Sequence, residues 1–289
     1  SADDIKDEDD GTEGHYIIKP LNNIQYDKNT GLVTWELAVN FTYDTYNKPI
    51  VSKAWKTVHI HDDLGQCGNT LVGYKDNGAL TEGGILISVN NGQSKYLLPN
   101  EKITFNDDGS IDFDLEAGNL TGISYNAPDF KMTKDTKITI CYVVKLGSGA
   151  YPTDMTSTKP NTNTVTFTGL TPGGKEYEST ASATVNVQSD DLLSKRLVSS
   201  DLNEANPDKL TYEIKVNPHG VKLCPSTGEC YQIVDELPSV LDYVPSTLKL
   251  TNDKGQVLAL ETDKLSRGGL DVINSVMNKS NEAKESTSN

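Results

Sequence analysis

The amino-acid sequence predicts an all-β protein built as successive β-sandwiches, and three observations carry that prediction. Short runs of alternating apolar and polar residues recur between clusters of Gly, Asn, Asp and Pro. Turn formers are plentiful and Met is scarce, with 23 Gly and 3 Met in 289 residues. No long segment keeps the apolar period of an amphipathic helix, although Leu265 to Met277 has room for a short one.

The first 13 residues, SADDIKDEDDGTE, are acidic and almost free of apolar side chains, which predicts a disordered leader over 1–13. A strand is expected at Ile17-Ile18-Lys19. The turn Asp27-Lys28-Asn29-Thr30-Gly31 then introduces Leu32 to Val39, with Val33, Trp35, Leu37 and Val39 on one face. Val58 to Asp62, Ile85 to Val89, Lys102 to Phe105, Ile111 to Leu115 and Lys137 to Val144 are further strands. Thr164 to Thr168 and Ser182 to Val187 flank the hairpin loop Leu170-Thr171-Pro172-Gly173-Gly174-Lys175.

A net charge of −15 excludes the basic surface that nucleic acid or an anionic membrane needs. No run of 18 apolar residues is present to span a bilayer. The N-terminus lacks the basic-then-apolar pattern of a signal peptide and the C-terminus lacks a sorting motif, so an exported parent would be trimmed at both ends. Cys224 and Cys230 enclose Pro-Ser-Thr-Gly-Glu and read as a short disulfide closing a hairpin, a pairing that suits an extracytoplasmic location. Cys67 and Cys141 could pair as well.

The chemistry lies in polar residues placed on apolar faces. In Val58-His59-Ile60-His61-Asp62, Asp62 continues the face of Val58 and Ile60. Lys19 shares a face with Ile17 and Leu21. Asn163 lies with Val165 and Phe167, while Thr164, Thr166 and Thr168 take the other side. Buried separately, each polar group would be costly. Together they can react: the amine attacks the carboxamide, the carboxyl moves the protons, and a Lys19–Asn163 isopeptide bond forms as ammonia leaves. Burial assists, because it lowers the pKa of an amine and raises that of a carboxyl group. The plainer reading is a lysine that snorkels to solvent and an aspartate that accepts backbone hydrogen bonds.

The chain also repeats itself. Lys19, Trp35 to Asn40 and Asp62-Asp63-Leu64 recur as Lys195, Tyr212 to Asn217 and Asp235-Glu236-Leu237. Lys195 shares a face with Leu193 and Leu197, and Asp235 with Tyr231 and Ile233. The expected organisation is therefore a leader at 1–13, a first domain at 14–189 and an incomplete second domain at 190–289. Lys195 and Asp235 are candidates for a second cross-link, but no counterpart of Asn163 is evident.

These motifs resemble the isopeptide-forming immunoglobulin-like domains of Gram-positive surface adhesins and pilins, in particular the collagen-adhesin-like group with an Asp catalyst. The residues that carry the resemblance are Lys19, Tyr26 to Gly31, Trp35, Ile60 to Leu64 and Asn163 to Thr166, with Lys195, Tyr212 to Pro218 and Val234 to Pro238 in the second copy. The resemblance implies tandem immunoglobulin-like, Greek-key sandwiches. It implies a non-enzymatic adhesin or stalk fragment that needs no cofactor, belongs to a wall-attached extracellular protein and meets a protein or glycan on a host or neighbouring cell. The long insert between Leu64 and Lys137 makes the first domain the better place for a binding surface. A pilus subunit polymerised by sortase is the alternative, and a β-sandwich enzyme acting on glycans stands third.

Other constellations carry less. His59 and His61 share the outward face, Asp62 points away from them, and solvated strand residues are the simpler reading than a metal site. Asp107 to Asp112 is a faint calcium loop that lacks the closing Glu, so an Asp-Gly turn is preferred. Gln66-Cys67 between two glycines hints at a thioester, which belongs to a different fold. The 13 Tyr could line a binding surface, yet most should pack in the core.

Overall fold

A computed structural model of the chain describes residues 5–20, 24–41, 50–152, 157–188, 193–200, 209–218, 235–244 and 247–258. It divides into a large unit, Ser1–Lys215, and a small unit, Val216–Asn289. Strands of the large unit begin with β1 (Ile17–Ile18), β2 (Gln25–Asp27), β3 (Leu32–Val39), β4 (Thr57–Asp62), β5 (Thr70–Asp76), β6 (Ala79–Glu82) and β7 (Ile85–Val89). They continue with β8 (Ser94–Leu98), β9 (Ile103–Phe105), β10 (Ile111–Leu115), β11 (Thr121–Gly122), β12 (Ile138–Lys145), β13 (Thr158–Leu170) and β14 (Glu176–Gln188).

These strands make two sheets. The first runs β1-β3-β12-β7-β8-β11, with β2 added beside β3 and the β5–β6 hairpin beside β12. The second runs β14-β13-β4-β10-β9. The protein is thus all-β, a two-sheet sandwich in which the chain repeatedly crosses from one sheet to the other. Trp35 and Leu37 of β3, Tyr142 of β12, Ile60 of β4 and Phe167 of β13 are buried in the space between them.

Local chemistry explains the placement. Asp27 accepts a hydrogen bond from the Asn29 amide at 2.8 Å, and its carbonyl receives the Gly31 amide at 2.9 Å, so the turn delivers β3 directly into the sheet. Strand β4 alternates as its sequence demands, with Val58, Ile60 and Asp62 inward and His59 and His61 partly exposed. Strand β13 does the same over a longer span, burying Asn161, Asn163, Val165 and Phe167. It pairs with β14 along its full length and with β4 from Val165, opposite Asp62, to Leu170, opposite Thr57.

The insert between Leu64 and Lys137 holds the strands expected at Ile85 to Val89, Lys102 to Phe105 and Ile111 to Leu115 and others besides: β5 to β8 and β11 widen the first sheet, and β9 and β10 widen the second. Two findings differ from the sequence reading. The acidic leader is described from residue 5, and a part-buried ion pair ties it to the large unit. Lys53, 3% exposed, places its ammonium 2.5 Å from Asp9 and over the Tyr177 ring at 4.3 Å, while the Tyr177 hydroxyl donates to Asp9 at 2.7 Å. Cys67 and Cys141 are both free. Cys141 sits in the middle of β12 with its thiol against the Lys75 carbonyl, whereas Cys67 lies in the loop that follows β4, so the fold holds them on separate elements.

Past residue 190 the described residues contain two short ladders. β15 (Leu193–Ser200) pairs with β16 (Leu210–Val216), and in the small unit β17 (Leu250–Thr251) pairs with β18 (Val257–Leu258). Cys224, Cys230 and the 265–277 segment lie outside the described residues.

Candidate cross-linking site

Lys19, Asp62 and Asn163 meet inside the sandwich. Lys19 follows β1 in the first sheet, whereas Asp62 ends β4 and Asn163 lies on β13 in the second. Their exposures are 3%, 0% and 0%. The three contact one another through a fourth residue, Tyr142 of β12. Lys19 Nζ donates to the Tyr142 hydroxyl at 2.9 Å, that hydroxyl donates to Asp62 Oδ2, and Asn163 Oδ1 lies 3.5 Å from it. Trp35 closes the other side, with the Lys19 ammonium 4.4 Å from its ring centroid.

Each position has a local cause. Asp62 Oδ1 accepts the Leu64 amide at 2.8 Å, which fixes the carboxylate where β4 ends. The next residue, Asp63, accepts the Thr164 amide at 2.9 Å and the Gly65 amide at 2.8 Å, and its own amide donates to the Thr164 carbonyl. These bonds pin β13 beside Asn163. Leu64, Gly65, Gln66, Cys67 and Gly68 then all take positive φ, a conformation that L-residues rarely adopt in series. Buried Asn69 and Asn161 hold this loop: Asn69 donates to Asn161 at 3.0 Å, and Asn161 donates to the Gly65 carbonyl at 3.0 Å. A side chain at Gly65 would meet the Asn161 amide oxygen at 2.5 Å, so glycine is required there for space as well as for φ.

Burial moves both partners toward their neutral forms. Burial lowers the Lys19 pKa from its ordinary 10.5 to about 8, against the opposing pull of Asp62 and Asp63. Burial raises Asp62, although Lys19 and the Tyr142 hydrogen bond act the other way. Burial, with the adjacent Asp62 carboxylate, raises Tyr142 well above its ordinary value, so the phenol keeps its proton. Asn163 Nδ2 is buried without a hydrogen-bond partner, an arrangement that a stable core avoids.

The remaining sequence candidates have other surroundings. Parity placed Lys195 on an inward face, but the structure has it exposed on β15, its ammonium 4.5 Å from the Tyr212 ring. Asp235 is half-buried in the small unit. On the outer face of the second sheet, His59 bonds Asp114 at 2.7 Å and Asp112 at 2.9 Å, and His61 bonds Asp112 at 2.9 Å. The histidines therefore sit in a carboxylate-lined row and are not simply solvated.

Tyr142 and Asp63 escaped the sequence reading. Tyr142 follows Ile138 and Ile140 at the same two-residue period, so the rule that exposed Asp62 as unusual also applies to it. A tyrosine in an apolar run is ordinary enough to pass unnoticed. Nothing in the sequence singles out Asp63, whose role comes from the register of β13 against β4.

No protein-family model matches the chain, and no curated protein matches it. Among solved structures, the collagen-binding subdomain of the Enterococcus faecalis surface protein ACE matches with 12% identity and a TM-score of 0.30, covering 62% of this chain and 99% of that one. The major pilin subunit BcpA of Bacillus cereus matches with 10% identity and a TM-score of 0.32, covering 86% of this chain and 64% of the pilin. The T6 backbone pilin of Streptococcus pyogenes matches with 9% identity and a TM-score of 0.29, covering 73% of this chain and 44% of the pilin. This chain thus spans less than two thirds of either pilin. Likeness of this degree assigns no residue and no activity here.

Proposed function

We propose that this chain is a non-enzymatic piece of an extracellular, wall-attached surface protein, an adhesin or stalk segment whose leading sandwich is locked by a self-formed Lys19–Asn163 isopeptide bond. One observation carries the reading: an amine, a carboxylic acid and a carboxamide converge in a sealed core where none of the three has a structural need to be. Neutral Lys19 attacks Cγ of Asn163, the bond from Cγ to Nδ2 breaks, and ammonia leaves. Asp62 supplies a proton to the departing nitrogen and recovers one from the attacking amine. The reaction occurs once per chain and is not turnover. The bond would join the two sheets across their interior, between the first strand and the penultimate strand of the sandwich.

The acidic surface suits a soluble, protein- or glycan-facing exterior more than a polyanionic partner. Lys195 and Asp235 are kept as candidates for a second cross-link in a domain beginning near residue 190, with Cys224–Cys230 as its disulfide. A pilus subunit joined by sortase is the second reading, since a cross-linked sandwich serves a shaft as well as an adhesive tip.

Intact-mass measurement of the full chain tests the bond. The wild-type chain should weigh less than its sequence by one ammonia, whereas Asn163→Ala and Asp62→Ala should each keep their full sequence mass. A wild-type chain at full mass rejects the cross-link.

A further inference from the structure

We propose that Tyr142 is a catalytic residue of this reaction, its hydroxyl relaying the proton that converts the Lys19 ammonium and the Asp62 carboxylate into a reactive amine and acid. The inference rests on the Lys19–Asn163 reading above and assigns the step that must precede bond formation. Geometry is its basis. Lys19 Nζ donates to the Tyr142 oxygen at 2.9 Å, and the same hydroxyl donates onward to Asp62 Oδ2. Nitrogen, phenol and carboxylate form one file with the phenol in the middle.

A lysine and an aspartate leave the ribosome charged, and a charged amine has no lone pair with which to attack. One proton must therefore pass from Lys19 to Asp62 after the sandwich closes. Exposures of 3% for Lys19 and 0% for Asp62 leave little room for bulk water to carry it. In one shift along the file, Lys19 gives a proton to the Tyr142 oxygen and Tyr142 gives its own to Asp62. The phenol is neutral before and after, and its strong hold on its proton suits a carrier that must not remain as phenolate.

The amine then bonds to Asn163 Cγ. A second amine proton follows the same path through Tyr142 to Asp62 as Asp62 releases its first proton to Nδ2, and ammonia departs with the acid again protonated. Tyr142 also lies 3.5 Å from Asn163 Oδ1, where negative charge gathers during the attack. The leaving nitrogen, Nδ2, has no competing hydrogen bond.

Cell-free synthesis of the full chain, quenched in acid at intervals and followed by intact mass, gives the rate of ammonia loss. Tyr142→Phe should slow that loss by about 100-fold or more, the usual scale of a general acid–base contribution. Near-UV circular dichroism reports whether this variant folds. If it does not, a fluorinated tyrosine introduced at position 142 keeps the hydroxyl while making it more acidic, and it should displace the pH–rate profile. Ammonia loss at the wild-type rate in folded Tyr142→Phe, or an unshifted profile with the fluorinated residue, overturns the relay and leaves the cross-link intact. A wild-type chain that never loses ammonia overturns both.

Discussion

A buried lysine that has not reacted carries a thermodynamic signature distinct from one converted to an amide. With its pKa lowered to about 8 by burial, Lys19 binds fewer protons in the folded protein than in the unfolded chain between that value and its ordinary 10.5. Stability contributed by this group therefore rises with pH across that window, by up to about 1.4 kcal/mol per pH unit. Asn163→Ala leaves the amine free, so its unfolding free energy should climb from pH 8 toward 10.5 relative to Lys19→Met. The cross-linked wild type should lack this slope, because an amide does not titrate there. Denaturant unfolding of the three proteins across that range makes the comparison, and a slope in the wild type equal to that of Asn163→Ala would show that its Lys19 is still an amine.

At the scale of elements, the leader shows how a polar segment can be fixed without secondary structure. Asp9 is held down to about 2 by the hydrogen bond from Lys53, with those from Tyr177 and the Gly11 amide adding to it. A carboxylate whose folded pKa is depressed stabilises the fold above its ordinary pKa of 3.8, and that contribution fades as pH falls from there toward 2. Asp9→Asn leaves Lys53 with only the exposed Asp10 carboxylate, 3.8 Å away, as counter-charge and should cost about 2 kcal/mol in urea unfolding. It should also speed hydrogen exchange at the amides of Gly11 and Thr12. Unchanged stability would mean that the leader merely rests on the surface.

Composition could not reveal this contact, because SADDIKDEDDGTE has the acidic, apolar-poor character of a disordered tail, and only tertiary packing brings Lys53 and Tyr177 to it. The strands divide in the same way. Val58 to Asp62 was legible because one face packs and the other meets solvent, so burial follows the sequence residue by residue. β5 was not, because Thr70 to Asp76 lies between β6 and β12 and its buried pair, Gly73 and Tyr74, breaks the alternation. Its hairpin turn, Asn77-Gly78 with both residues at positive φ, was nonetheless written in the sequence. Parity located Lys19, Asp62 and Asn163 because each is polar in an apolar run. Lys195 is exposed among the described residues, and alternation alone implies burial only where a second layer covers the face.

For the molecule as a whole, the consequence lies in where the bond would sit. Lys19 follows β1 of one sheet and Asn163 lies in the other, so the link would be a staple through the core, closing most of the large unit into one covalent loop. Closing a loop of that length constrains the unfolded chain by an amount on the order of 4 kcal/mol, so Asn163→Ala should melt well below the wild type. Force gives a sharper test than heat. A chain pulled from its two ends transmits tension from the leader through Lys19 into Asn163 and onward, and every strand from β2 to β12 lies off the loaded path. Single-molecule extension of the wild type should therefore fall short of that of Asn163→Ala by roughly 500 Å, at about 3.5 Å for each residue held between the two link points. Equal extensions would mean that the sandwich opens along its whole length and that no covalent path bypasses it. Locking of this kind would place the load on one amide bond, while β2 to β12 remain folded under tension and β13 beyond Asn163, with β14, stays on the loaded path.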